Sequence, residues 1–251
     1  MKSDIGRSTP DAITVRGLDL ANEVMGEMSF ADLAFFLAAD RMPSDGESKM
    51  FNAVLTALAD HGLTPMALAS RLTYTGAPES LQGAIAAGLL GAGSVFLGPV
   101  EDTARFLHTT LDEIPEVDQT NLATLQEAAK EAVAAALLEG RRIPGLGHPI
   151  HRETDPRTPR LYELANETGT LGPHLRLLEL VAAAYEEETD KRLPINGAGA
   201  AGAVLADLGF PPALTRGFAL LARVAGLIGH LAEEAEHPIG MRLWKEIDER
   251  T

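Results

Sequence analysis

The sequence predicts an all-α protein, and three observations carry that reading. Apolar residues recur three and four positions apart over most of the chain, the period that lines one face of a helix. Alanine and glycine concentrate in two long runs, Ser80–Leu90 and Leu193–Leu208, where small side chains let helices pack closely. No stretch shows the apolar–polar alternation of a half-buried strand.

Taken in order, residues 1–20 are polar and irregular, with Arg7 and Arg16 beside short apolar pairs. Ser29 is placed to cap a helix running to Ala39, whose Phe30, Leu33, Ala34 and Leu37 share a face. Pro43 ends that segment. A second helix fits Glu47–Ala59, with Met50, Phe51, Val54, Leu55 and Leu58 at helical spacing. It runs into Asp60-His61-Gly62, where the glycine suits a helix stop. Thr64–Leu72 and Ser80–Leu90 are two more helices, the second expected at the centre of the molecule or at a subunit contact. Residues 112–121 form an acidic loop, and helices follow over 121–139, 158–168 and 173–190. In the last of these, Glu186, Glu187 and Glu188 form a solvated face. Pro194-Ile-Asn-Gly-Ala-Gly199 opens the second Ala/Gly-rich helix, and Leu214–Ala235 is the last strong element.

At 251 residues the chain can bury a sizeable core as one large domain or two unequal lobes. It has no cysteine, which excludes disulfides and thiolate chemistry and is compatible with a reducing cytoplasm. Met1-Lys-Ser-Asp-Ile lacks the charged-then-apolar layout of a secretion signal, and no apolar run is expected to span a bilayer. A formal charge of −15 disfavours nucleic acid and anionic membranes as partners. An anionic ligand must then be gripped by locally concentrated arginine.

The segment richest in chemistry is Pro144-Gly-Leu-Gly-His-Pro-Ile-His-Arg-Glu-Thr-Asp-Pro-Arg157. Glycines and prolines keep it from continuing a helix, and Gly145 and Gly147 leave space for a ligand beside the backbone ahead of His148. Arg152 and Arg157 carry planar donors that match carboxylates. This points to a pocket for a small polycarboxylate, polarised by His148. His61 sits at a helix end, where the dipole favours a positive imidazole, so a structural role competes with a catalytic one. Arg223 lies inside an apolar helix with His230 seven residues on; such a guanidinium needs a carboxylate, from the protein or from a substrate. His148 and His151 stand three apart without further ligands at recognisable spacing, so no metal is expected. No phosphate-cradling glycine motif or nucleophile elbow is present.

These segments resemble the citrate synthase superfamily, in family order, over nearly the whole chain. Ala-Asp-His-Gly at 59–62 resembles the first histidine motif, and Gly-His148 with Asp-Pro-Arg157 resembles the second. The stretch Gly93–Pro99 resembles the segment where citrate synthases carry a catalytic histidine. Phe96 stands in its place, as in the citryl-CoA lyase branch that includes the lyase module of ATP-citrate lyase.

The resemblance implies an all-α homodimer with a large lobe, residues 1–99 plus 205–251, and a small mobile lobe, residues 100–204. It implies carbon–carbon cleavage of citryl-CoA to acetyl-CoA and oxaloacetate, or the reverse, with a coenzyme A thioester as substrate. His61 and His148 would polarise the substrate oxygen, while Arg157, Arg223 and Arg242 hold carboxylates, Arg242 across the dimer. Asn196 and Phe96 would line the substrate, and Ile143, Pro144, Gly145, Leu146 and Gly147 would run along the CoA. One position departs from the pattern: the family's catalytic aspartate is Ala198 here. His151, Asp60 and Glu101 are the possible replacements. Two other readings stay open: a relative that binds CoA or a polycarboxylate without turnover, and a helical interaction protein.

Overall fold

Side-chain caps set where five of the α-helices begin. In this computed structural model, which describes residues 3–250, eleven helices follow a short N-terminal sheet. Ser29 accepts from the Asp32 N–H and starts α1 (Phe30–Ala39). Ser44 and Glu47 cap each other's backbone, so α2 (Asp45–Ala59) begins two residues before the expected Glu47. Thr64 caps α3 (Pro65–Gly76), with Pro65 at its first position. Then come α4 (Leu81–Leu90), α5 (Gly98–Asp112), α6 (Leu122–Leu138), α7 (Arg157–Thr168) and α8 (Pro173–Thr189). Asn196 caps α9 (Gly197–Asp207), which leads to α10 (Pro212–Glu236) and α11 (Gly240–Asp248).

Three sequence expectations are corrected. The stretch 1–20 is not irregular where it is described: β1 (Gly6–Ser8), β2 (Ile13–Val15) and β3 (Leu18–Asp19) form an antiparallel sheet. Its register pairs Arg7 with Thr14 and Val15 with Leu18. Strands of two or three residues are too short to show alternation. Second, the small-residue helix at the centre is α9. It is buried over nearly its whole length and packs on α2, α5, α7, α8 and α10. By contrast α4 buries only Ala84 and Gly88, leaving Leu81 and Leu90 exposed. Third, α10 is long and apolar enough to cross a bilayer by length and composition. Its inner stripe, including Phe218, Ala222, Arg223 and Leu227, is buried against α2, α3, α4, α5 and α9, the pattern of a core helix.

An aromatic knot joins the first half of the chain to the last. Phe35 of α1 and Phe51 of α2 meet Phe210 and Phe218, with ring centroids 4.5–5.7 Å apart. Edge-to-face pairs of this kind add about 0.5–1.5 kcal/mol beyond their area. The expected lobe boundaries, near residues 99 and 205, fall inside α5 and α9, and these two helices touch through Gly202 and the Val100 carbonyl.

That contact yields a paired expectation. Gly202→Ala drives a methyl into the Val100 carbonyl and destabilises by about 1–3 kcal/mol. Gly217→Ala, on an open face of α10, stabilises by about 0.5–1 kcal/mol. Urea unfolding of the two variants separates the outcomes; equal effects would refute the close-packing argument.

Candidate active site

Two turns bring the predicted histidines together. After α2, Asp60 takes an extended backbone and accepts from the Gly62 N–H at 2.8 Å, turning His61 out of the helix end. The second turn, 143–148, is fastened to the strand-like entry of α9. Gly147 N–H donates to Pro194 O at 2.8 Å, and Asn196 N–H donates to Gly145 O at 2.9 Å. Asn196 Nδ2 donates to Gly147 O at 2.8 Å, while its Oδ1 accepts from Gly199 N–H at 2.8 Å. Gly145 has φ +84°, and a Cβ on Gly199 would lie 2.5 Å from its Cα. Only glycine satisfies both demands. His148 follows directly from this clamp.

The rings of His61 and His148 are 5.4 Å apart, and His151 joins them, 4.4 Å from His148 and 5.9 Å from His61. His148 Nδ1 accepts from the N–H groups of Ile150 (3.1 Å) and His151 (3.0 Å). A neutral imidazole whose Nδ1 accepts carries its proton on Nε2, so His148 presents an N–H donor to the pocket. Burial lowers the pKa of His61, helped by Arg157, His151 and Arg223. Burial likewise lowers that of His148, helped by His151. Both rings are therefore neutral donors or acceptors near pH 7 rather than cations.

Asp155 is fully buried and takes two bonds from Arg157, Nε at 3.0 Å and Nη2 at 2.7 Å, plus the Gly197 N–H at 2.7 Å. Burial pushes its carboxyl upward, but these bonds overrule it and hold the group far below the usual carboxylate range. Arg157 also donates to Ala57 O at 3.3 Å, tying α7 to the end of α2 beneath His61. Arg223, 5% exposed, has Nε and Nη1 buried with no hydrogen-bond partner. Its nearest carboxylate, Asp60, is 3.8 Å away. Burial lowers its pKa, opposed by Asp60.

Asp60 is already committed elsewhere. Its Oδ1 lies 2.9 Å from His230 Nε2, and His230 Nδ1 faces Arg71 Nη2 at 3.0 Å. Arginine only donates, so His230 accepts at Nδ1 and donates from Nε2 to Asp60. Arg71 is itself buried between Glu233 and Glu234.

The remaining predicted residues divide. Ile143 and Gly145 are buried in the turn, with Pro144, Leu146 and Gly147 partly open. Phe96 is half-buried against the core. Asn196 spends both ends of its amide on the clamp. Arg152 is exposed and makes no hydrogen bond or ion pair among the described residues. Arg242 is exposed on α11, 3.5 Å from Glu246 of the same helix, outside the histidine cluster of its own chain. Glu101 is held by Arg105 (2.6 Å) and Arg216 (2.9 Å). Sequence reasoning missed the burial of Asp155 and the Arg71–His230–Asp60 chain; an acid two residues before Arg157 was the one available signal. Beside Pro144, α5 and α6 bound a cleft of about 1130 Å³ lined by Arg105, Phe106, Arg141 and Arg142.

Ligand atoms of His61, His148 and His151 all lie within 4.8 Å of one another, close enough to bracket a metal ion. The acceptor role of His148 Nδ1 opposes this, because its Nε2 then has no lone pair to lend.

Two imidazoles from separate turns thus stand together, and the buried, half-paired guanidinium of Arg223 lies close enough to His61 to depress its pKa. Residues 7–245 match the citrate synthase C-terminal domain, and the chain belongs to the citrate synthase family. It is similar to the citryl-CoA lyase of Hydrogenobacter thermophilus: TM-score 0.83, 31% identity, covering 93% of this chain and 86% of that one. The ATP citrate lyase of Methanosaeta concilii, solved with (3S)-citryl-CoA, shares the fold at TM-score 0.76 and 21% identity, covering 95% of this chain and 40% of that one. Among curated sequences, a probable ATP-citrate synthase of Dictyostelium discoideum is 25% identical over 92% of this chain and 38% of its own length. Citrate synthase 2 of Bacillus subtilis is 26% identical over 78% of this chain and 49% of its own. The chain thus spans half or less of these curated relatives.

Asp155→Asn tests the buried pair. Removing one partner costs about 3–5 kcal/mol at pH 7. A carboxyl with a depressed folded pKa stabilises above its unfolded value, near pH 4, and loses that contribution as pH falls toward the folded value. The gap between wild type and variant in urea unfolding should therefore narrow between pH 5 and 2 in order-of-magnitude terms. A gap independent of pH would contradict the assignment.

Proposed function

We propose that the chain catalyses carbon–carbon cleavage of a citryl-CoA-type thioester to acetyl-CoA and oxaloacetate, or the reverse condensation. The observation that carries this is a buried Arg223 with free N–H groups beside two neutral imidazoles. A guanidinium so placed is costly unless a ligand carboxylate meets it. The likeness to a citryl-CoA lyase over most of both chains supports the same reading.

On this reading His148 Nε2–H and His61 hydrogen-bond the substrate oxygen that alternates between hydroxyl and ketone. Their N–H dipoles stabilise charge that develops there, and because the rings are neutral they do so without protonating it outright. Arg223 holds one carboxylate, Arg157 lends the N–H groups left over from its bonds to Asp155 and Ala57, and Arg152 adds a third when the lobes, 1–99 with 205–251 against 100–204, close over the ligand. The CoA runs along Ile143–Gly147 into the cleft lined by Arg105, Arg141 and Arg142. Asn196 positions that backbone, and Phe96 packs beside the acyl group. Arg242 serves the other subunit of a homodimer; the exposed Met241, Trp244 and Ile247 on the same helix support burial there. Polarisation rests on nitrogen donors, so no metal takes part.

A second reading is favoured by one residue: with Ala198 in place of the family carboxylate, the protein binds CoA and a tricarboxylate without turnover.

Incubation with citryl-CoA should release acetyl-CoA and oxaloacetate, at a rate unchanged by dialysis against EDTA. His148→Asn should lower kcat by about 10²–10³. Tight binding with no product would favour the second reading; activity lost to EDTA and regained with zinc would reverse the metal assignment.

A further inference from the structure

We infer that His151 is the catalytic acid–base that moves the proton between the substrate hydroxyl and the acetyl carbon. The inference rests on the lyase reading above and specifies its proton path. Cleavage of the bond requires that the hydroxyl lose a proton and that the acetyl carbon gain one, and a single base placed beside both can do each in turn. On the lyase reading His61 is kept for the substrate oxygen, and Asp60, Glu101, Asp155 and His148 each have a competing commitment. Asp60 is bound to His230 and the Gly62 N–H, and Glu101 to Arg105 and Arg216. Asp155 is fully buried under Arg157 and Gly197. His148 has Nδ1 taken by two backbone N–H groups, which leaves it a donor.

His151 differs. Its ring makes no hydrogen bond among the described residues, is partly open, and lies 4.4 Å from His148 and 5.9 Å from His61. Both of its nitrogens are therefore available beside the two groups that hold the oxygen. No carboxylate pairs with it among the described residues; His61 and His148 flank it, and the charged groups that act on those two rings are Asp155, Arg157 and Arg223. Ala198 sits one residue beyond Gly197, whose N–H Asp155 holds, in the first turn of the helix that clamps the His148 loop.

The step balances without a co-reactant. The hydroxyl proton passes to the His151 lone pair, and the C–C bonding pair moves onto the acetyl carbon as the C–O bond becomes a ketone. The imidazolium then gives the same proton to that carbon. Condensation runs the sequence backwards, with His151 removing a methyl proton from acetyl-CoA.

Two assays separate this from the lyase reading: citryl-CoA cleavage, and exchange of acetyl-CoA methyl protons with deuterated water in the presence of oxaloacetate. His151→Gln should lower both by about 10²–10⁴, while calorimetric binding of CoA and citrate stays at the wild-type level. Adding Ala198→Asp to that variant should restore exchange with its pH dependence moved from the imidazole range to the carboxylate range. His151→Glu, which keeps a base at the same place, should show the same acidic shift. Wild-type exchange rates in His151→Gln, or an unmoved pH profile in His151→Glu, overturn the assignment. If the wild type exchanges methyl protons yet does not cleave citryl-CoA, the lyase reading fails and His151→Gln still decides the proton path. If it does neither, both fall.

Discussion

A single buried carboxylate holds the site in register. Asp155 has no exposure, and an isolated charge there would cost several kcal/mol. It is tolerated because Arg157 grips it with two bonds and the first N–H of α9 supplies a third. One group thereby fixes the end of the histidine loop, the start of α7 and the start of α9. Arg157 extends the hold to Ala57, directly before the His61 turn. This pair adds a direct polar tie between the two turns to the packing of α9 and α7 on α2.

The electrostatics of the pocket run against those of the whole chain. The formal charge is −15, yet Arg157 and Arg223 stand close enough to His61 to depress its pKa. Their shared field does two things at once. It sets local positive charge against the negative charge of the chain as a whole, and it lowers the His61 pKa, with burial leading that effect. Neutral rings suit polarisation of an oxygen, since an imidazolium would hand over its proton early.

Much of the helical fold was legible, because long amphipathic segments announce themselves. The Ser29 cap and the buried Met50, Phe51, Val54 and Leu58 appeared as read, but the stripe expected on α10 is turned: Leu214, Ala225 and Ile228 face outward while Ala222, Arg223, Leu227 and Leu231 are buried. The short sheet did not, since two or three residues carry no period. Nor did α11, whose nine residues place Met241, Trp244 and Ile247 outward rather than against a core. At the site, His61, His148, Arg157 and Arg223 could be picked out as letters, but their pairing could not. That Asn196 binds backbone at both ends, and that Asp60 and Glu101 are occupied while His151 is not, depends on contacts between residues far apart in the chain.

The end of the chain is mechanically continuous with the His61 turn. Glu234 receives the Ile239 and Gly240 N–H groups that open α11, and it also holds buried Arg71, which meets His230, which in turn meets Asp60. Four side chains thus form an unbroken polar strut from the start of the C-terminal helix to the residue preceding His61. α11 and the turn that carries His61 share one hydrogen-bonded network, shielded from water at Glu234, Arg71 and His230.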